Sequence, residues 1–171
     1  GADAFSREVL LAMTEDAAER GERRRVDDAV RILIELGAQR ETPRLLAHVA
    51  LKSGRHEDAL TALDVAEIGA AERAVMARAL FFLGRLEDAL EQANHVPTEE
   101  SGRDAVIASE FAGHACIGLG RIDEGLTWLE RALELAHSVA DVGLKNRARH
   151  SLAVALHRAG RLQPARELYQ E

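Results

Sequence analysis

A seven-residue string that begins Gly-Arg recurs along the chain, and this repeat limits the possible folds more than any other feature. Clear copies start at Gly54, Gly84 and Gly120, and a weaker copy starts at Gly160. The starting glycines are 30, 36 and 40 residues apart. Repeats of this length are typical of arrays in which one small structural unit stacks on the next.

The chemistry of the string predicts a tight turn between two helices. Each glycine follows an apolar helical run, and glycine adopts the left-handed conformation that ends a helix without a Cβ clash. Acidic residues then follow in the first turn of the next helix, where they complement its positive end: Glu57, Asp58, Glu87, Asp88, Asp123 and Glu124. The repeating unit is therefore predicted to be an antiparallel helical hairpin.

Small residues at fixed distances from each glycine support this interpretation. They lie seven residues before it and five residues after it, as the pairs Ala47 and Ala59, Ala77 and Ala89, Gly113 and Gly125, and Ala153 and Ala165. Because these residues carry little side-chain bulk, the two helices of each hairpin are predicted to approach closely. Larger apolar residues at helical spacing are predicted to form the core around these contacts.

Apolar periods and turn residues predict ten helices. They lie near residues 3–20, 24–36, 43–53, 57–68, 71–83, 86–95, 102–119, 122–139, 144–159 and 163–170. Gly37 and Gly69 are predicted to end helices. The fold class is thus all-α.

Composition excludes several classes of function. A net charge of -7 argues against a direct nucleic-acid binder, which needs an excess of Lys and Arg. The sequence has neither a membrane-spanning apolar run nor a signal peptide, and its one cysteine, Cys116, indicates a reducing compartment. We therefore predict a cytoplasmic protein. A start at Gly1 without methionine and an end inside a helical pattern indicate a fragment of a longer protein.

No catalytic motif, metal-ligand spacing or cofactor-binding loop is visible, so the sequence predicts no enzyme, no metal and no cofactor. His114 and Cys116 are two residues apart on a helix and would point to different faces. Ser109, Glu110 and His114 include the residue types of a catalytic triad. Adjacent residues such as Ser109 and Glu110 do not share a helix face, and we predict that this group is polar surface.

The glycine turns and paired small residues of residues 40–171 resemble tetratricopeptide repeats. This resemblance implies a right-handed superhelical array of antiparallel hairpins, with the first helix of each hairpin lining a concave groove that receives a peptide or partner helix. It divides the chain into one continuous solenoid of four hairpins at about 40–69, 70–105, 106–145 and 146–171. Residues 1–39 match more loosely and are predicted to form a degenerate hairpin that caps the array.

The longer units at the C-terminal end are similar to the repeat regions of large bacterial transcriptional regulators and signalling ATPases. The similarity implies a regulatory segment that senses or relays the binding of a partner. It rests on analogy between folds rather than on a site.

Three positions in each repeat are predicted to face the groove, at ten, six and three residues before the glycine. The predicted partner-binding residues at these positions are Arg44, His48, Leu51, Arg78, Phe81, His114, Ile117, His150 and His157. Basic side chains beside apolar ones are complementary to an acidic, amphipathic segment of a partner protein. His48, Arg78 and His114 are expected to act as its positive charges.

Two other functions are compatible with the same sequence. The chain could be a self-association module whose end helices pair with a second copy, giving a homo-oligomer. It could also pack against another part of its own parent protein. Neither alternative involves direct binding of nucleic acid or of a membrane.

Overall fold

The computed structural model describes residues 9–10, 12–14, 16–17, 20, 22–35, 42–64, 68–97 and 102–170. Its regular secondary structure in this part of the chain is α-helical, which confirms the predicted all-α class. The helices are α1 (Arg23–Glu35), α2 (Thr42–Lys52), α3 (His56–Leu63), α4 (Ala70–Phe82), α5 (Leu86–Asn94), α6 (Arg103–Gly118), α7 (Ile122–His137), α8 (Val142–Arg158) and α9 (Leu162–Gln170). Residues 9–10, 12–14 and 16–17 are also helical.

Most predicted helix bounds agree with the structure to within two residues. The exception is α3, which was predicted to continue to residue 68 and ends at Leu63. Ile68 is exposed, so the last apolar residue of that pattern does not belong to a buried helix face. The prediction for Gly69 is wrong, because this residue precedes α4 with extended backbone, and its N–H donates to Oε2 of Glu72 at 3.0 Å. Gly37 and most of the predicted helix 3–20 lie outside the described residues.

The four repeat glycines adopt the predicted left-handed conformation. Gly54, Gly84, Gly120 and Gly160 have φ values of 70°, 75°, 79° and 75°. In the first turn the Gly54 N–H donates to the Leu51 carbonyl at 3.1 Å, and the Arg55 N–H donates to the Ala50 carbonyl at 2.8 Å. The other three turns repeat this pair of hydrogen bonds, which satisfies carbonyls that the helix end would otherwise leave unpaired.

The helices of each hairpin cross at the predicted small residues. The six alanines among them are at most 1% exposed. At the crossing of α6 and α7, a Cβ added to Gly113 would lie 2.9 Å from the backbone oxygen of Gly125. This separation leaves no room for a side chain, so glycine is required there.

The hairpins α2–α3, α4–α5, α6–α7 and α8–α9 stack in chain order. The first helices of the hairpins also contact each other, as α2 with α4, α4 with α6, and α6 with α8. They form one surface, which we call the first-helix face. The largest core cluster extends from Ala74 in α4 to Ala148 in α8, while α1 packs on α2 through Val26, Val30 and Leu33. The unit boundaries given above, including the capping hairpin at 1–39, stay predictions.

Candidate partner-binding groove

Two depressions lie side by side on the first-helix face. The first, the arginine cavity, has a volume of about 200 Å³. It is lined by Arg44, Leu45, His48 and Leu51 of α2, by Ala74, Val75 and Arg78 of α4, and by Arg103, Asp104 and Ile107 of α6. Every lining residue belongs to the first helix of a hairpin.

The second depression, the aromatic compartment, has a volume of about 430 Å³. It is lined by Arg78, Phe81 and Phe82 of α4, by Glu110, Phe111 and His114 of α6, and by Arg147, His150, Ser151, Val154 and Arg158 of α8. These again belong to first helices of hairpins. Arg78 lines both depressions and therefore marks their junction.

The two depressions contain seven of the nine sequence-predicted residues. Arg44, His48, Leu51 and Arg78 line the arginine cavity, and Arg78, Phe81, His114 and His150 line the aromatic compartment. The other two lie elsewhere. Ile117 packs against the cluster around Leu126, because the Gly113–Gly125 crossing brings α7 close to it. His157 is exposed and lines neither depression.

His48 and His114 do not supply the positive charge that the sequence suggested. Burial, followed by the neighbouring guanidinium groups of Arg44 and Arg78, lowers the pKa of His48 to about 4. Burial also lowers the pKa of His114, and the opposing effect of Glu110 is the smaller one. Both rings are therefore largely neutral at pH 7, and the prediction that they act as cations is wrong. The positive charge of this face comes from arginines.

Arg78 occupies an unfavourable electrostatic position. Its Nε is buried and has no hydrogen-bond partner among the described residues. Burial lowers the pKa of Arg78, and the nearby Arg147 and Arg103 lower it further. Two attractions oppose this: the Glu110 carboxylate raises the pKa of Arg78, and Arg78 Cζ lies 6.0 Å from the centroid of the Phe111 ring. The guanidinium thus lies against an aromatic ring and is attracted by Glu110, with no carboxylate in salt-bridge contact among the described residues.

The aromatic compartment is built from adjoining rings. The Phe81 centroid lies 5.4 Å from that of Phe82 and 5.6 Å from that of Phe111. The ring of His56 stacks on Phe82 with a centroid distance of 4.9 Å. Phe82 remains 51% exposed, which is unusual for a phenylalanine and provides an apolar contact surface.

A buried carboxylate lies beneath this compartment. Glu110 is 3% exposed, and it accepts hydrogen bonds from Arg147 Nε at 2.8 Å and from Ser151 Oγ at 2.7 Å. His114 Nε2 lies 4.0 Å from the same carboxylate. Ser109 is also buried, so the prediction that Ser109 and Glu110 are polar surface is wrong. The carboxylate pairs with α8 across the helix interface and does not face water.

Sequence reasoning missed several groove residues because it took only three positions in each repeat. The missed residues are Phe82, Arg103, Asp104, Phe111, Arg147, Ser151 and Arg158. A signal for the Glu110 network was present. Ser109 and Glu110 interrupt an alanine-rich apolar stretch of α6, and Arg147 and Ser151 are spaced four residues apart on one face of α8.

The described residues contain no cluster of three or more His, Cys, Asp or Glu side chains arranged to hold a metal ion. Among the helices that the structure describes, none combines the length and the apolar character needed to cross a membrane.

Comparisons with known proteins agree with this architecture. Family models described as tetratricopeptide repeat match residues 104–171 and residues 44–64 and 71–94, which together make up more than half of the chain. A search of curated protein sequences finds no significant match.

Solved structures share the fold at low sequence identity. The MamA RS-1 ArsTM double mutant is 16% identical with a TM-score of 0.61, and the match covers 94% of this chain and 91% of that one. Two structures of a kinesin light chain-like protein with nearly identical TPR-like repeats from Podosopora anserina are each 18% identical. Their TM-scores are 0.61 and 0.59, and the matches cover 94% of this chain and 91% and 92% of those chains. The chain belongs to the tetratricopeptide repeat family.

Proposed function

We propose that this chain is a non-enzymatic interaction module that holds a segment of a partner protein on its first-helix face. The segment would lie across the arginine cavity and the aromatic compartment. Tetratricopeptide repeats bind proteins or peptides and are typically non-catalytic scaffolds, which is the coarse role that family membership gives. What we propose beyond this role is the location of the binding site and the chemistry of the partner segment.

One observation supports this proposal: arginines and an exposed aromatic ring lie together on one face of an otherwise acidic chain. The chain has a net charge of -7, yet the two adjoining depressions are lined by Arg44, Arg78, Arg103, Arg147 and Arg158, against Asp104 and Glu110. The exposed ring of Phe82 lies in the same face. A partner segment that carries negative charge beside apolar side chains complements this surface in both respects.

The resemblance of the longer C-terminal units to bacterial regulators extends the proposal. On that basis the array would be a regulatory segment of a larger cytoplasmic signalling or transcriptional protein. The groove would then respond to a partner, and the response would pass to other parts of the parent protein. Co-purification of a regulated domain with the full-length parent would support this extension.

The test begins with a photo-crosslinking side chain at Phe82 on the first-helix face, and a second one at the exposed Thr127 on α7 as control. A partner captured from Phe82 alone is identified and then titrated by calorimetry against the wild type, Arg78→Glu and the control Arg166→Glu on α9. We expect Arg78→Glu to weaken binding at least about tenfold, which is about 1.4 kcal/mol. Arg166→Glu is expected to bind as the wild type does. Equal affinities for all three proteins would contradict the proposed groove.

Self-association is the alternative function that a specific observation favours. The last hairpin exposes large apolar side chains, with Val142 at 75%, Leu162 at 61% and Tyr169 at 53%. Exposed apolar groups of this kind can mark a protein interface. Analytical ultracentrifugation over a wide concentration range tests this alternative. A self-association module must form a dimer, and Leu162→Ser must weaken that dimer.

A further inference from the structure

The aromatic compartment gathers most of the phenylalanines of the chain. Three of the four phenylalanines in the sequence, Phe81, Phe82 and Phe111, line it. Phe111 is 7% exposed and forms the floor, while Phe82 is 51% exposed and forms part of the rim. The interplanar angle is 69° between Phe81 and Phe82 and 53° between Phe81 and Phe111. Edge-to-face arrangements of this kind are those in which aromatic rings attract one another.

The compartment has room for a further ring, and its rim is held in place by the protein itself. Its volume of about 430 Å³ exceeds the roughly 150 Å³ of a cavity that binds benzene. His56, the first residue of α3, stacks on the Phe82 ring with an interplanar angle of 13° and restrains it. A side chain that is already restrained loses little conformational freedom when a ligand packs on it. The compartment can therefore take up a side-chain ring at a low entropic cost.

The charges around the rings exclude a positively charged occupant. Aromatic pockets can also bind ammonium or guanidinium groups. Here, however, Arg78, Arg147 and Arg158 line the compartment, and they would repel a second cation. Among the described residues that line it, the one carboxylate is Glu110, which is 3% exposed and pairs with Arg147. This carboxylate is not available to a ligand, so the compartment favours a neutral group.

We propose that the aromatic compartment receives a neutral aromatic side chain of the partner segment, and that Phe82 determines the preference for a ring. The proposal rests on the interaction function proposed above and names the side chain that anchors the segment. An aliphatic side chain would gain only from leaving water, whereas an aromatic ring also gains the edge-to-face attraction of the surrounding rings. It can in addition lie against the guanidinium of Arg78 or Arg158, which line the same compartment.

The experiment uses three degenerate pools of short, fluorescently labelled peptides that differ only in their central residue, which is phenylalanine, cyclohexylalanine or lysine. Cyclohexylalanine keeps the apolar ring and removes its π electrons. Fluorescence anisotropy measures the binding of each pool to the wild type, to Phe82→Leu and to the control Tyr169→Leu. The control removes a ring on α9 that is 53% exposed and lines neither depression. Circular dichroism confirms that each variant is folded.

The wild type is expected to bind the phenylalanine pool about two- to tenfold more tightly than the cyclohexylalanine pool. The lysine pool should bind at least about tenfold more weakly than the phenylalanine pool, because it meets the arginines. Phe82→Leu should bring the ratio between the phenylalanine and cyclohexylalanine pools close to one. Tyr169→Leu should keep the ratio of the wild type.

Each other outcome overturns the proposal in a defined way. Equal binding of the phenylalanine and cyclohexylalanine pools to the wild type would exclude recognition of an aromatic ring. A preference for phenylalanine that survives in Phe82→Leu would place the ring site elsewhere, and tightest binding of the lysine pool would identify a cation site. Failure of all three pools would overturn the anchor. In each case the titration of the cross-linked partner against Arg78→Glu still tests the groove, so failure of the anchor is distinguishable from failure of the proposed function.

Discussion

At the scale of single residues, His48 shows how burial among arginines determines the charge of a side chain. Its pKa is about 4 in the folded protein and about 6.5 when unfolded. Between these values the unfolded chain binds more protons, so the free energy of unfolding decreases as the pH falls from about 6.5 to 4. We predict that His48 alone causes a loss of up to about 3 kcal/mol over this range.

The measurement is urea denaturation at about pH 7 and about pH 4.5, on either side of most of this transition. His48→Gln cannot take up the proton, so it should lose less stability between the two pH values than the wild type. His157→Gln, a change at an exposed histidine outside the two depressions, is the control and should behave as the wild type. If His48→Gln and the wild type lost the same stability, His48 would not be held neutral by its surroundings.

At this scale the sequence predicts where the groove side chains lie, but it does not predict their protonation states. The repeat register placed Arg44, His48 and Arg78 on the first-helix face, and the structure shows all three lining one cavity. Their mutual repulsion depends on the distance between α2 and α4, which belong to different repeats. Glu110 shows the same limit, because its buried partners Arg147 and Ser151 lie in the next hairpin.

At the scale of helices, the close approach of α6 and α7 at Gly113 and Gly125 allows a direct test of the hairpin packing. A Cβ on Gly113 would lie 2.7 Å from Leu129 Cγ and 2.9 Å from the backbone oxygen of Gly125. Alanine has the higher helix propensity, by about 1 kcal/mol, but overpacking against backbone costs about 1 to 3 kcal/mol. We predict that Gly113→Ala destabilises the protein by up to about 2 kcal/mol, measured by urea denaturation.

The matched control is Gly118→Ala in the same helix. The added Cβ meets only the tip of the Leu86 side chain, with Cδ1 at 2.7 Å, and this tip can rotate away. Gly118 is exposed, so the helix propensity of alanine should dominate, and the change is expected to be neutral or stabilising by up to about 1 kcal/mol. The same sign for both variants would show that the α6–α7 crossing is looser than the structure indicates.

The buried pair of Glu110 and Arg147 joins α6 to α8, the first helices of neighbouring hairpins. Arg147→Met would leave the buried Glu110 carboxylate with Ser151 as its remaining hydrogen-bond donor among the described residues. Because Arg147 itself is 40% exposed and partly screened by water, we predict a loss of about 1 to 3 kcal/mol, below the range for a fully buried pair. Thermal unfolding of the variant measures this loss.

A double-mutant cycle separates the pair from general packing. Glu110→Leu with Arg147→Met removes both charges, and the double variant should be more stable than the sum of the two single changes predicts, by about 1 kcal/mol. Additive effects would mean that the ion pair contributes no coupling between α6 and α8.

At the scale of the whole molecule, the fold was predictable because local and long-range signals coincide. The Gly-Arg turns fix where one helix ends and the next begins, and the small residues fix which helices cross. Both signals recur in each hairpin, so one correct unit extends to the array. The end of α3 at Leu63 was not predictable from this pattern, since Val65 and Ile68 continue the apolar spacing in the sequence.

The aromatic compartment was only partly predictable for a related reason. The repeat register identified Phe81, but Phe82 is at the next position, where an apolar residue would normally be assigned to the core. The structure exposes the Phe82 ring and covers one of its faces with His56. This contact joins two neighbouring hairpins, because His56 is in α3 and Phe82 is in α4. The sequence of one repeat therefore does not predict it.

An array in which each hairpin contacts mainly its neighbours should not lose its structure uniformly. The described core divides in the same way, since Leu33 belongs to a cluster shared by α1 and α2, and Leu129 belongs to one shared by α6, α7, α8 and α9. Both leucines are fully buried, so Leu33→Ala and Leu129→Ala each remove the same side-chain volume at a cost of about 2 to 5 kcal/mol.

We predict that native-state hydrogen exchange will show loss of amide protection in different helices for the two variants. Leu33→Ala should lower amide protection in α1 and α2 while α6 to α8 keep theirs, and Leu129→Ala should lower protection in α6 to α9. If both variants lowered protection equally along the whole chain, the array would unfold as one cooperative unit, and a ligand in the groove would stabilise every hairpin alike.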